Sequence, residues 1–104
     1  MELVITTQPT PELYTIVVEG EVDISNASKL RDAIDLALEQ PTDTVQLDFA
    51  QVAYIDSTGI GVLVGAAHHA EERGKRFSVA RVQPAVMRVM QLLGVDAELE
   101  VTAL

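Results

Sequence analysis

Cysteine and tryptophan are absent from the 104 residues, and aromatic residues of all kinds make up only 4%. Without cysteine there is no disulfide framework, no thiol chemistry and no cysteine metal site, and a reducing cytoplasm is the natural compartment. Cations are scarce: seven Lys and Arg stand against sixteen Asp and Glu, a net charge of −9. Phosphate contacts need clustered Lys and Arg, so nucleic-acid binding is set aside. Long hydrophobic runs are missing as well. The longest nearly apolar stretch, Gly59 to Ala67, falls far short of the ~20 residues that cross a bilayer. The start, Met1-Glu2-Leu3-Val4, lacks the basic region and apolar stretch of a signal peptide. These absences lead us to expect a soluble cytoplasmic protein that does not enter a membrane.

What is present describes an ordinary globular domain. Apolar residues make up 48% and charged residues 22%. The length suits one domain, residues 1–104, with a modest core. Charge is unevenly placed: residues 1–55 carry ten acids and two bases, residues 56–104 six acids and five bases. An acidic first half suits a partner with a basic surface, drawn in by long-range steering, although solubility alone also explains it.

Strand and helix patterns alternate along the chain. Leu3 to Thr7 and Leu13 to Val22 are rich in Val, Ile, Thr and Tyr and flank Pro9-Thr10-Pro11, which reads as two antiparallel strands joined by a turn. Ser25 and Asn26 offer caps for a helix whose apolar stripe is Leu30, Ile34, Ala37 and Leu38, ended by Pro41. Val45 to Ala50 forms a strand, followed by a helix from about Ser57 to Arg73, with Gly74 as its stop. Phe77 to Val82 is a further strand, Pro84 opens a third helix that ends at Gly94, and Leu99 to Thr102 can close the sheet. The pattern predicts an α/β fold with a mixed β-sheet.

The most informative residues are Asp56-Ser57-Thr58-Gly59-Ile60-Gly61, between the third strand and the second helix. A helix start has unpaired N–H groups and a positive dipole end, so a phosphate added there need not wreck the fold. Together with Gly20-Glu21-Val22-Asp23 and the segment Val86 to Gly94, this motif resembles the anti-sigma factor antagonists, the bacterial STAS domain family. The likeness runs through essentially the whole chain. It implies a single STAS-like domain with helices mainly on one sheet face. It also implies phosphorylation of Ser57 by a partner that is both serine kinase and anti-sigma factor, and reversal by a serine phosphatase. Relatives often carry Thr where this chain has Asn26, an equally good cap.

Each candidate has a plainer reading beside the functional one. Ser57 is a phosphorylation site or a helix-capping serine worth on the order of 1 kcal/mol. Thr58 is a neighbouring partner contact, a residue modified in place of Ser57, or a polar first-turn residue. Asp23 and Asp56 contact the kinase and orient the serine, or they form turns and caps. Gly59, Gly61 and Gly65 invite a dinucleotide reading, but the third position of G-x-G-x-x-G is Val64. Glycine costs roughly 1 kcal/mol in a helix relative to alanine, so these three need another reason: Gly59 would admit a partner's backbone. Ile60, Leu63, Val64 and Ala67 would face the sheet, leaving Gly61, Val62, Gly65 and Ala66 on a small apolar face open to a partner.

Other chemistries lack their parts. His68, His69, Glu71 and Glu72 offer no identifiable third convergent ligand, so no metal site is assigned. Ser57 lies outside any Gly-x-Ser-x-Gly elbow and has no positioned acid–His pair. A receiver domain would need an acidic pair after the first strand and a lysine after the last, which this chain lacks. The expectation is a non-enzymatic, monomeric switch without a cofactor. The alternative is a constitutive STAS subunit of a transporter or signalling assembly, with no phosphate cycle.

Overall fold

The computed structural model describes residues 2–104; Met1, the first residue of the expected domain, lies outside them. The elements run β1 (Val4–Pro9), β2 (Leu13–Val22), α1 (Ala27–Leu38), β3 (Thr44–Ile55), α2 (Ser57–Glu72), β4 (Arg76–Val82), α3 (Pro84–Leu92) and β5 (Val101–Ala103). The sheet order is β1-β2-β3-β4-β5, with β1 antiparallel to β2 and the other pairs parallel. Each parallel crossover steps the same way across the sheet. Right-handed connections therefore place their helices on the same face.

Burial follows that geometry. Val45, Leu47 and Phe49 of β3, Ile16 and Val18 of β2, and Phe77 and Val79 of β4 are buried under the helices. Thr15, Val17, Gln46, Asp48, Ser78 and Ala80, which alternate with them, are half-buried on the uncovered face. Leu30, Ile34 and Leu38 of α1, Ile60 and Leu63 of α2, and Val86 and Met90 of α3 join one core. The Leu30, Ile34, Ala37, Leu38 stripe of α1 is buried throughout, as its spacing predicts.

Several boundaries differ from the sequence expectation. β3 continues five residues past Ala50, to Ile55, and β5 starts at Val101 rather than Leu99, which is instead a buried core residue. The longer β3 has a local cause. It matches ten residues of β2 with twelve of its own, through register shifts between Val17 and Glu19 and between Gly20 and Glu21. At the first shift Phe49 and Ala50 are adjacent yet both buried, which interrupts the two-residue alternation. The extra residues bring Ile55 level with Val22, so β2 and β3 end side by side.

Candidate functional site

That shared ending builds the site. The loop from Asp23 to Asn26 leaves β2 where the Asp56-Ser57 turn leaves β3, and Asp56 N donates to Val22 O at 3.0 Å. Asp56 then works in both directions. Its Oδ1 accepts from Gly59 N at 3.0 Å, and its Oδ2 accepts from Ile24 N at 3.1 Å. One carboxylate thus caps α2 and holds the neighbouring loop against it.

This settles the role of Ser57 in the helix. Asp56 is the N-cap of α2, and Ser57 is its first helical residue, so the serine is not the capping group. Both Ser57 and Thr58 are exposed. Asp56 takes up its capping reading: each of its oxygens accepts from one backbone amide of its own domain.

The Asp23 loop is ordered by its own side chains. Asp23 Oδ1 accepts from Ser25 N at 2.9 Å and Ser25 Oγ at 2.5 Å. These bonds, the side-chain one first, hold the Asp23 carboxyl below its ordinary pKa of 3.8. Asn26 occupies the N-cap position of α1, but its side chain makes no cap bond to the helix. It faces backwards instead, with Oδ1 accepting from Asp23 N at 2.9 Å and Nδ2 donating to Glu21 O at 2.8 Å. An amide can clamp donor and acceptor together. Asp23 is half-buried, at the edge of the same rim as Ser57.

The three glycines of α2 separate into two kinds. Gly59 is buried, and a Cβ there would lie 2.6 Å from Ile55 Cγ1 and 2.8 Å from Val22 Cγ1. Its lack of a side chain serves packing of the helix on its own sheet. The expectation that it admits a partner's backbone is therefore wrong. At Gly61 and Gly65 an added Cβ would meet nothing within 4 Å. These two line a groove of about 270 Å³ between α1 and α2, together with Arg31, Ile34, Asp35, Thr58, Val62, Ala66 and His69.

The expected stripe on α2 is also redistributed. Ile60 and Leu63 are buried as anticipated, but Val64 and Ala67 are only partly buried, while Ala66 is buried. The second helix packs against α1 as well as the sheet, so its buried arc turns towards Ala66. Gly61 stays exposed, and Val62 and Gly65 half-buried. Reading α2 alone missed the α1 contribution to the groove, since helix spacing does not say which neighbour a helix meets. It also missed Ile24, 78% exposed beside the Asp56 turn; an isoleucine between turn-forming Asp23 and Ser25 was the available signal.

The histidine pair lies at the far end of α2. His68 Nε2 contacts Glu98 Oε1 at 2.7 Å, and among the described residues no group of three His, Cys, Asp or Glu converges as a metal site would require. No helix of the described residues is long and apolar enough to cross a membrane.

Comparison with known proteins agrees with this layout. A family model described as "Mlab, STAS domain" matches residues 5–102. The anti-sigma-B factor antagonist of Listeria monocytogenes is 28% identical over 86 residues, covering 83% of this chain and 75% of that protein. The anti-sigma factor antagonist SpoIIAA in its unphosphorylated form superposes with a TM-score of 0.81 at 24% identity, over 97% of this chain and 89% of the other. Murine Slc26a9, an anion transporter, contains the same fold: TM-score 0.79 and 16% identity, over 92% of this chain and 17% of that one.

Proposed function

This chain belongs to the STAS domain family, and from that premise we propose that it is a phosphorylation-controlled anti-sigma factor antagonist. In this reading the unphosphorylated domain binds, in the cytoplasm, an anti-sigma factor that is also a serine kinase, and the bound sigma factor is released. The kinase phosphorylates Ser57, the pair separates, and a serine phosphatase resets the cycle. The domain performs no chemistry of its own; ATP and its metal ion belong to the kinase.

One observation carries the reading: Asp56 caps α2, which leaves Ser57 exposed at the positive end of the helix and relieved of the capping role. A phosphoryl group would add about −1.5 to −2 charges there, beside unpaired helix N–H groups that favour an anion. The fold can therefore keep its shape while the surface changes sign locally. Asp23, Thr58, Gly61, Val62 and Gly65 form the docking surface around the serine, with the α1–α2 groove as its extension. Gly59 supports that surface from beneath.

The test is phosphosite mapping of the protein from its native cells in two growth states, with Ser57→Ala as control. Occupancy at Ser57 that changes between states supports the switch. Bare Ser57 in every state, with a second protein copurifying in stoichiometric amount, sinks it. That second outcome fits the rival, a constitutive subunit, which the shared fold with a domain of the anion transporter Slc26a9 favours. There the groove would make a permanent contact and Ser57 would have no signalling role.

A further inference from the structure

Ile24 is 78% exposed at the tip of the loop between β2 and α1, and the fold gains nothing from its side chain. The residue just before a helix cap can staple onto the first turn, but here that position is Ser25, and Ile24 lies one residue further out. Its backbone, by contrast, is held closely: Asp56 takes its amide, Asp23 binds Ser25 twice, and Asn26 clamps Asp23 N to Glu21 O. Asp23 O also accepts from Asn26 N and Ala27 N. The side chain thus projects from a backbone whose freedom is already spent, so burying it in a partner adds little ordering cost.

Its placement says which partner. Asp56 binds the Ile24 amide with one oxygen and the first turn of α2 with the other, so Ile24 and Ser57 share one rim. The rim continues through Thr58 into the groove. Glu21, exposed near the end of β2, and Asp23, half-buried in the loop, put acidic side chains on either side of Val22, which suits a protein surface with an apolar pocket ringed by Lys or Arg.

We infer that Ile24 is the apolar anchor by which the anti-sigma factor recognises the unphosphorylated domain, and that Asp56 is the residue positioning it. The inference rests on the switch reading above and deepens it. A phosphate on Ser57 would bring a hydrated dianion to the mouth of the pocket that must desolvate Ile24, which links the anchor to release.

The experiment uses the full chain and the anti-sigma factor kinases of the source organism, purified and titrated singly by calorimetry. With the kinase that binds wild type, Ile24→Ser should weaken affinity at least about 30-fold, as for a buried interface anchor. Its melting temperature should not change, and Ile24→Leu should bind within about threefold of wild type. Asp56→Asn keeps an acceptor for Gly59 N but turns an amide donor towards Ile24 N–H. It should weaken binding about tenfold in the wild-type background and less than about threefold on top of Ile24→Ser. Full additivity would overturn the positioning role. Ile24→Ser binding as tightly as wild type, while Ser57→Asp does not bind, would overturn the anchor and leave the switch intact. Failure of every kinase to bind wild type would overturn both.

Discussion

Adding two methyl groups to α2 should make this domain more stable and less able to bind. At Gly61 and Gly65 a Cβ meets nothing within 4 Å, so alanine fits without displacing any atom of the domain. Each replacement removes the backbone freedom of glycine and gains roughly 1 kcal/mol of helix propensity. Together they gain roughly 2 kcal/mol, which for a domain of this size raises the melting temperature on the order of 10 °C. The same methyls enter the groove beside Thr58 and Val62. Overfilling a fitted contact costs roughly 1–3 kcal/mol, so affinity for the anti-sigma factor should fall about fivefold or more. Thermal melting by circular dichroism and calorimetric titration on the double variant read the two effects separately. An unchanged or lowered melting temperature would show that the glycines serve internal packing. A raised one with unaltered affinity would show that the groove is not where the partner docks. Gly59→Ala is the internal contrast: its Cβ would press on Ile55 and Val22, both almost fully buried. Strain of roughly 1–3 kcal/mol there outweighs the propensity gain, so this variant should melt earlier than wild type.

The buried Thr42 hydroxyl has no hydrogen-bond partner among the described residues. Thr42→Val should therefore stabilise the domain by about 1 kcal/mol, measured by urea denaturation, and a loss of stability would contradict this. Because bonds from Ser25 lower the Asp23 pKa, the folded state favours the charged carboxylate. That contribution is present above the ordinary value of 3.8 and is lost as pH falls through the folded-state value. Ser25→Ala should move the Asp23 titration, followed by NMR, back up towards 3.8; an unmoved midpoint would remove the Asx-turn explanation. Ser57→Asp places a negative group in the first turn of α2, where the dipole favours it by about 0.3–1 kcal/mol. Its melting temperature should hold or rise slightly, and a marked fall would mean that the fold itself cannot accept charge at Ser57.

Sequence and structure agree where a single element decides the outcome. The α1 stripe from Leu30 to Leu38, the opening hairpin and the stops at Gly74 and Gly94 followed from local periodicity and turn chemistry. The Asp56-Ser57-Thr58 junction was legible for the same reason: it lies between one strand and one helix. What two elements decide together was not legible. Whether Ser57 or Asp56 caps α2 depends on the loop from β2, which offers Ile24 N to the same carboxylate. Asn26 reads as a cap in the sequence because Asn is a favoured residue just before a helix. Its actual partners, Asp23 N and Glu21 O, lie behind it. The glycines looked alike in sequence, and only the packing of α2 on Val22 and Ile55 separates Gly59 from Gly61 and Gly65. The bulges that lengthen β3 likewise depend on pairing with β2 and leave no local mark beyond the adjacent pair Phe49-Ala50.

The central claim is that one phosphoryl group on Ser57 separates this domain from its partner without refolding it. The most direct measurement is a calorimetric titration of the anti-sigma factor kinase with the same protein preparation before and after stoichiometric phosphorylation, with amide NMR spectra of both forms. Binding should be tight before and undetectable after, with amide shifts confined to the Asp23–Asn26 loop and the first turns of α2. Equal affinity in the two forms, or shifts spread through the sheet, would contradict it.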